Sequence, residues 1–405
     1  MFDSHKAWLS SATAAASAAA VLFACAAIHA AAPPADAVAE NYAAYSAALQ
    51  RKDLAAAEVA AAAAYEASVQ AQGDGGRTAV LALNLADVRL AQGRYDEAVA
   101  PARKALELAE SQGPASGVDV VLARLLLDRA QLRSGDEAAA KRLEASLAAA
   151  AAQPDLNAAS FTAAADLAKH SLENRRYDAA RAAWATAGRV AKRNPATASP
   201  LLVDRMRVEE SAAGLLALVA QPASSVASWR MPPDTSAYRD YLETLVAIVE
   251  KLGREAAQPG PTSAPTEAQT VFGLALAWYN AIKSKFRSEG RQWNDMPELP
   301  DTPDEIGGSR HALPRCDARV VAEPKPEYPR AERLEGGVGS VVLQLTFDED
   351  GSVVRSAVAG GVGPRFVESV TAVAGQWRLA RKNPDQAGCR MAREIFLVAS
   401  FTYSG

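Results

Sequence analysis

The sequence predicts a multidomain protein, an α-helical solenoid of repeats followed by a small α+β domain in which an antiparallel three-stranded sheet is packed by a helix. Three observations carry that prediction. Alanine dominates the first half, and small residues recur there in a fixed frame, which suits helices that approach one another closely. Past Cys316 the apolar spacing changes from helical to alternating, as strands with one buried face require. Between the two, residues 290–315 are rich in Pro, Gly, Asp and Glu and lose apolar periodicity, the pattern of a linker or a surface-hugging loop. A chain of 405 residues also exceeds what one hydrophobic core usually organises.

Residues 1–30 read as an export signal. Lys6 gives a weakly positive start, residues 12–27 form a small apolar run, and Ile28-His29-Ala30 offers a small-residue cleavage site before Ala31. The alternatives are an uncleaved membrane anchor, a lipoprotein site at Leu22-Phe23-Ala24-Cys25, and a buried Ala-rich helix that Pro33-Pro34 would cut off from the helices that follow. Membrane contact is expected only through an uncleaved or lipidated N-terminus. Cys25 falls in this segment, leaving Cys316 and Cys389 as an even pair that brackets the C-terminal region. In an exported chain the pair is expected to be bonded; in a reducing compartment both would be free thiols.

Residues 38–200 hold the repeats. Leu83-Asn84-Leu85-Ala86-Asp87, then Gly93-Arg94-Tyr95-Asp96-Glu97-Ala98, then Ala102 and Ala105-Leu106 set the frame. It returns as Lys52, Leu54, Ala57, Ala61 and Ala64, as Gly135, Ala140 and Leu147, and as Arg175, Tyr177, Ala180, Trp184 and Ala187. The turn positions 52, 93, 135 and 175 are separated by 41, 42 and 40 residues. This order resembles the tetratricopeptide repeat, with a unit longer than its usual length of about 34 residues and similar to the extended repeats of the kinesin light chain type. The resemblance implies stacked helical hairpins around a groove that holds partner peptides; a non-repetitive Ala-rich bundle is the alternative. Residues 201–289 keep a helical pattern over 201–218, 238–255 and 267–288 and read as helices that cap the solenoid.

In the C-terminal region, residues 316–405, Val341, Leu343, Leu345 and Phe347 alternate with Val342, Gln344 and Thr346 as a strand. Asp350-Gly351 supplies a hairpin turn into a second strand over 353–358. Pro364 opens a helix in which Phe366, Val370, Val373 and Trp377 share one face, with Arg378, Arg381 and Lys382 at its C-terminal end and Asn383-Pro384 as its stop. Ile395, Leu397, Ala399, Phe401 and Tyr403 then alternate as a last strand. Pro326, Tyr328 and Pro329, followed by Gly336, Gly339, Asp350, Gly351 and Trp377, resemble in order and spacing the C-terminal domain of TonB proteins. That resemblance implies a periplasmic, cell-envelope protein that binds protein or peptide partners such as outer-membrane receptors, in TonB-dependent transport. It also implies recognition by strand addition, in which a partner's extended peptide pairs along the edge formed by Ile395, Leu397, Ala399, Phe401 and Tyr403.

Other functional classes find little support. A net charge of -4 and a pI near 5.8 give no broad basic field, so nucleic acid is not an expected partner. His5, His29, His170 and His311 are scattered, and no His or Cys pair has metal-ligand spacing, so neither metal nor other cofactor is expected. The Gly-Gly-Val-Gly runs at 336–339 and 360–363 lack the Lys-Ser/Thr of phosphate loops and read as turns, and Asp348-Glu349-Asp350-Gly351 reads as a hairpin tip rather than a calcium loop. With no catalytic constellation, the expectation is a non-enzymatic protein; the rivals are a structural scaffold with no energy-transducing role and an enzyme with an unrecognised site.

Overall fold

The computed structural model describes residues 35–150, 153, 157–195, 198–220, 236–258, 260, 264–290, 293–294, 296–301, 305–306, 313–334 and 338–401. Residues 1–30, with Lys6 and Cys25, and the positions Gly336 and Tyr403 lie outside them. The chain forms two compact units that divide after Met206.

In the first unit eight helices form four antiparallel hairpins: α1 (Ala35–Gln50) with α2 (Leu54–Gln72), α3 (Gly76–Ala91) with α4 (Tyr95–Gln112), α5 (Val120–Arg133) with α6 (Ala139–Ala150), and α7 (Asn157–Glu173) with α8 (Tyr177–Arg193). The repeat frame is visible in the turns. Lys52, Gly93, Gly135 and Arg175 each take positive φ, at 59°, 76°, 98° and 55°. After each, the next residue donates its N–H five residues back: Asp53 to Ala48, Arg94 to Arg89, Asp136 to Gln131 and Arg176 to Ser171, at 2.7 to 2.9 Å. Every hairpin therefore ends its first helix with the same left-handed cap, which satisfies otherwise orphaned carbonyls. Five residues beyond each turn stand Ala57, Ala98, Ala140 and Ala180, all fully buried, where a larger side chain would force the helices apart. Neighbouring repeats are also tied by charge. Arg89 and Arg94 both reach Glu58 on α2, and Arg129 on α5 pairs with Asp166 on α7 at 2.6 Å with both side chains largely buried.

The helix α9 (Pro200–Ala220) spans the division between the units. In the second unit α10 (Ser236–Ala256) packs on α11 (Glu267–Ser288). A mixed-length sheet follows in the order β1-β6-β3-β4, with β1 (Glu305–Ile306), β3 (Gly339–Phe347), β4 (Val353–Gly361) and β6 (Arg393–Phe401), all neighbours antiparallel. The three long strands are those expected. The two-residue β1 is an addition, and a separate ribbon pairs β2 (Ala318–Ala322) with β5 (Arg378–Arg381). A short helix α12 (Arg330–Leu334) follows Pro329, and α13 (Pro364–Val373) packs on β3 and β4.

Three expectations need correction. The helix from Pro364 does not run to Asn383: α13 ends at Val373, a 3-10 turn covers Ala374–Gln376, and Arg378 to Arg381 form β5. Leu379 N–H bonds Gly351 O at 2.8 Å and the strand pairs with β2, so its main chain is satisfied better outside a helix. Nor is β3 buried on one face alone. Val341, Leu343, Leu345 and Phe347 face α13, yet Val342 and Gln344 on the opposite face are buried as well, because α11 covers that side. Within the second unit α11 packs on β3 and β4. Third, the run at 360–363 is not simply a turn, since Gly360 and Gly361 belong to β4 and only Gly363, at φ 79°, initiates α13.

Candidate docking edge

The long strand β6 lies between β3, which pairs with it along its whole length, and β1, which among the described residues pairs with Glu394 and Ile395. Two hydrogen bonds decide which of its main-chain groups face outward. Val362 N–H donates to Ser340 O and Asp348 N–H to Ser352 O, both at 2.9 Å, so Ser340 and Asp348 aim their main-chain groups toward β4. Successive residues of an antiparallel strand aim alternately at its two neighbours. The β3–β6 register is unbroken from Gly339↔Phe401 to Phe347↔Arg393. Val341, Leu343, Leu345 and Phe347 therefore exchange bonds with Ala399, Leu397, Ile395 and Arg393. Glu394, Phe396, Val398 and Ser400 point the other way, and on that side no strand of the described residues pairs with β6 beyond Glu394 and Ile395.

The residues expected from sequence to form the edge divide accordingly. Ile395, Leu397, Ala399 and Phe401 turn their side chains into the core under α13 and their main chain into the ladder with β3, while Tyr403 lies outside the described residues. Among the described residues no strand pairs with the outward N–H and C=O of Phe396, Val398 and Ser400. No side-chain signal could have found them, since every residue carries the same main-chain groups; only the register reveals their direction.

Side chains on both faces hold this edge in place. On the α11 side Phe272 meets Phe396 with ring centroids 5.2 Å apart. Val398 and Ser400 follow on the same face, and Val398 is 38% exposed. Glu394 is clamped by Arg355, by Gln344 Nε2 at 2.8 Å and by Thr346 Oγ1 at 3.3 Å. On the α13 side Tyr328 stands edge-on to Phe366 and Phe401, at 5.6 and 5.7 Å, and these two rings in turn meet at 4.6 Å, tilted by 37°. Tyr328 thus fastens the segment of Pro326 and Pro329 to the far end of β6. Trp377 is buried in the same core. Gly339 lets the ring of Phe366 lie against the start of β3, where a Cβ would collide with it. Asp350 and Gly351 form the β3–β4 hairpin tip, in which the Asp348 carboxylate accepts from Asp350 N–H at 3.0 Å and Ser352 N–H at 2.8 Å.

Below the near end of β6, Cys316 and Cys389 are joined by a disulfide with their Cα atoms 4.9 Å apart. Cys316 N–H bonds Arg390 O and Arg390 N–H bonds Pro314 O, both at 2.9 Å, so the strap before β2 is held against the approach to β6. Among the described residues no group of three or more His, Cys, Asp or Glu could hold a metal ion, and no helix is long and apolar enough to cross a membrane. No curated protein matches the chain. Residues 324–393, which carry Tyr328, the hairpin tip and Trp377, match the family model for the C-terminal domain of Gram-negative bacterial TonB proteins.

Proposed function

We propose that the chain is a non-enzymatic, TonB-like interaction protein of the Gram-negative cell envelope that captures an extended partner peptide along the outer edge of β6. The outward row of main-chain groups at Phe396, Val398 and Ser400 carries this reading. Donors and acceptors alternate there at strand spacing, so a peptide gains a ladder without needing a particular sequence. The family match supports it up to Arg393, the first residue of β6, and the β3–β6 register supports it beyond. Outer-membrane receptors are the partners the TonB likeness favours, and the tetratricopeptide likeness of the stacked hairpins in the first unit favours a groove there for a second partner. Titration of the full chain with ten-residue peptides derived from candidate outer-membrane receptors tests this. Saturable binding with new protection of the Phe396, Val398 and Ser400 amides is expected. No binding by any peptide would leave the scaffold reading, in which the TonB-like module only docks.

A further inference from the structure

The edge that would take a partner strand already carries a piece of this chain. Glu305↔Ile395 and Ile306↔Glu394 place β1 antiparallel on β6, on the side away from β3. Because Glu394 aims its main chain outward, Ile306↔Glu394 is the hydrogen-bonded pair, and Glu305 N–H points away from β6. Opposed residues share a face, so Ile306 lies on the α11 side, where it is 2% exposed.

Both flanks of β1 are pinned. Upstream, Trp293 stands edge-on to Tyr279 and Phe286 of α11, at 5.6 and 5.3 Å, and Tyr279 Oη donates to Pro297 O at 2.9 Å. Downstream, Cys316 is bonded to Cys389, four residues before β6 begins. A short segment held between two such anchors meets its edge at a local concentration of roughly millimolar or more. Among the described residues its ladder is two residues long, and a ladder of that length gives little stability of its own.

We infer that β1 is a tethered self-strand that competes for the docking edge, and that a partner peptide extending over Glu394 must displace it. This rests on the strand-addition reading of β6. A partner pairing with Glu394, Phe396, Val398 and Ser400 replaces the one bonded pair it removes and adds three. Binding thereby releases Glu305 and Ile306 from β6.

Proline scanning of β1 in the full chain tests the inference with the same receptor-derived ten-residue peptides. Ile306→Pro removes a ladder donor and is expected to tighten binding about three- to tenfold, the amount by which self-occupancy depresses apparent affinity. Glu305→Pro, whose N–H is not used, is expected to bind like the native chain. In the native chain, saturating peptide should strip exchange protection from the Ile306 amide, and this measurement decides if Ile306→Pro folds poorly or the two readouts disagree. Peptide binding with the Ile306 amide still protected would overturn the competition while leaving strand addition standing. Binding by neither protein would remove both.

Discussion

Gly273 of α11 and Gly360 of β4 meet main chain to main chain. A Cβ on Gly273 would sit 2.7 Å from the carbonyl carbon of Ala359, and one on Gly360 would overlap the main chain of Gly273 and Leu274. The obstacle on each side is main chain, which cannot rotate away, so relief requires the helix to leave the sheet. Gly360→Ala and Gly273→Ala are each expected to destabilise the second unit by about 3 kcal/mol, the upper end of overpacking costs. Chemical denaturation of the full chain checks this, and a cost under about 1 kcal/mol in both variants would mean that α11 does not seat there. For the same reason residues 316–405 alone should expose Val342 and Phe396 and bind a hydrophobic dye, whereas residues 207–405 should not.

The charge network between repeats gives two carboxylates of opposite sign. Burial lifts the Asp87 carboxyl above its ordinary range, and the Arg129 guanidinium only partly offsets this. Such a group contributes stability at pH below its unfolded range and loses it as the pH rises through the folded value. At neutral pH Asp87→Asn should therefore raise the melting temperature, with the gain fading in acid. Burial also pushes Asp166 up, but the charge and hydrogen bond of Arg129 outweigh it and hold the carboxyl low. Its contribution is present above the unfolded range and is lost as the pH falls through the folded value. Asp166→Asn is expected to cost about 3 to 5 kcal/mol at neutral pH, because it weakens the counter-charge of a buried guanidinium. Melts of both variants at neutral and acid pH should separate them, and shifts of the same sign would contradict the assignment.

The disulfide fastens the strap before β2 to the approach of β6. In the loop-entropy account, opening a loop of about 74 residues costs roughly 4 kcal/mol. The double variant Cys316→Ser, Cys389→Ser should lose about that much stability, with the loss confined to the second unit. Hydrogen exchange of the β3 and β6 amides across a denaturant series measures it, and an unchanged midpoint would show that the strap holds without the bond.

Sequence conveyed most where a single local device repeats. Lys52, Gly93, Gly135 and Arg175 were legible because each closes the same left-handed cap and is followed five residues on by alanine. The alternation in β3 and β6 was legible for the same reason, since a pleat repeats every two residues. Contacts between distant residues left no such trace. Helical periodicity shows that α11 has an apolar face but not that Gly273 rests on Gly360, a residue 87 positions away. Trp377 continued the spacing of Phe366, Val370 and Val373, so the helix read too long; only the bond from Leu379 to Gly351 reveals the strand. The pairing of Ile306 with Glu394 lies in a stretch of charged and proline residues where no strand pattern stands out.

The alternation of main-chain direction along β6 makes neighbouring proline substitutions differ in kind. Val398 aims its N–H at the open edge, so proline there removes nothing from the β3 ladder and suits an edge position. Val398→Pro should keep the circular dichroism and most of the stability of the native chain. Peptide affinity should fall about tenfold or more, since one ladder bond is lost and the ring blocks close approach. Ser400→Pro should behave alike. Leu397 gives its N–H to the ladder opposite Leu343 and its side chain to the core, so Leu397→Pro should unfold the second unit instead. Val398→Thr keeps the N–H and a branched side chain, and its affinity should change less than twofold. Titration of receptor-derived peptides against the four folded or unfolded variants reads out the pattern. If Val398→Thr weakens capture as much as Val398→Pro, the side chain rather than the main chain selects the partner. If Val398→Pro unfolds the unit while Leu397→Pro does not, the direction assigned from Ser340 and Asp348 is reversed, and the open groups are those of Leu397 and Ala399.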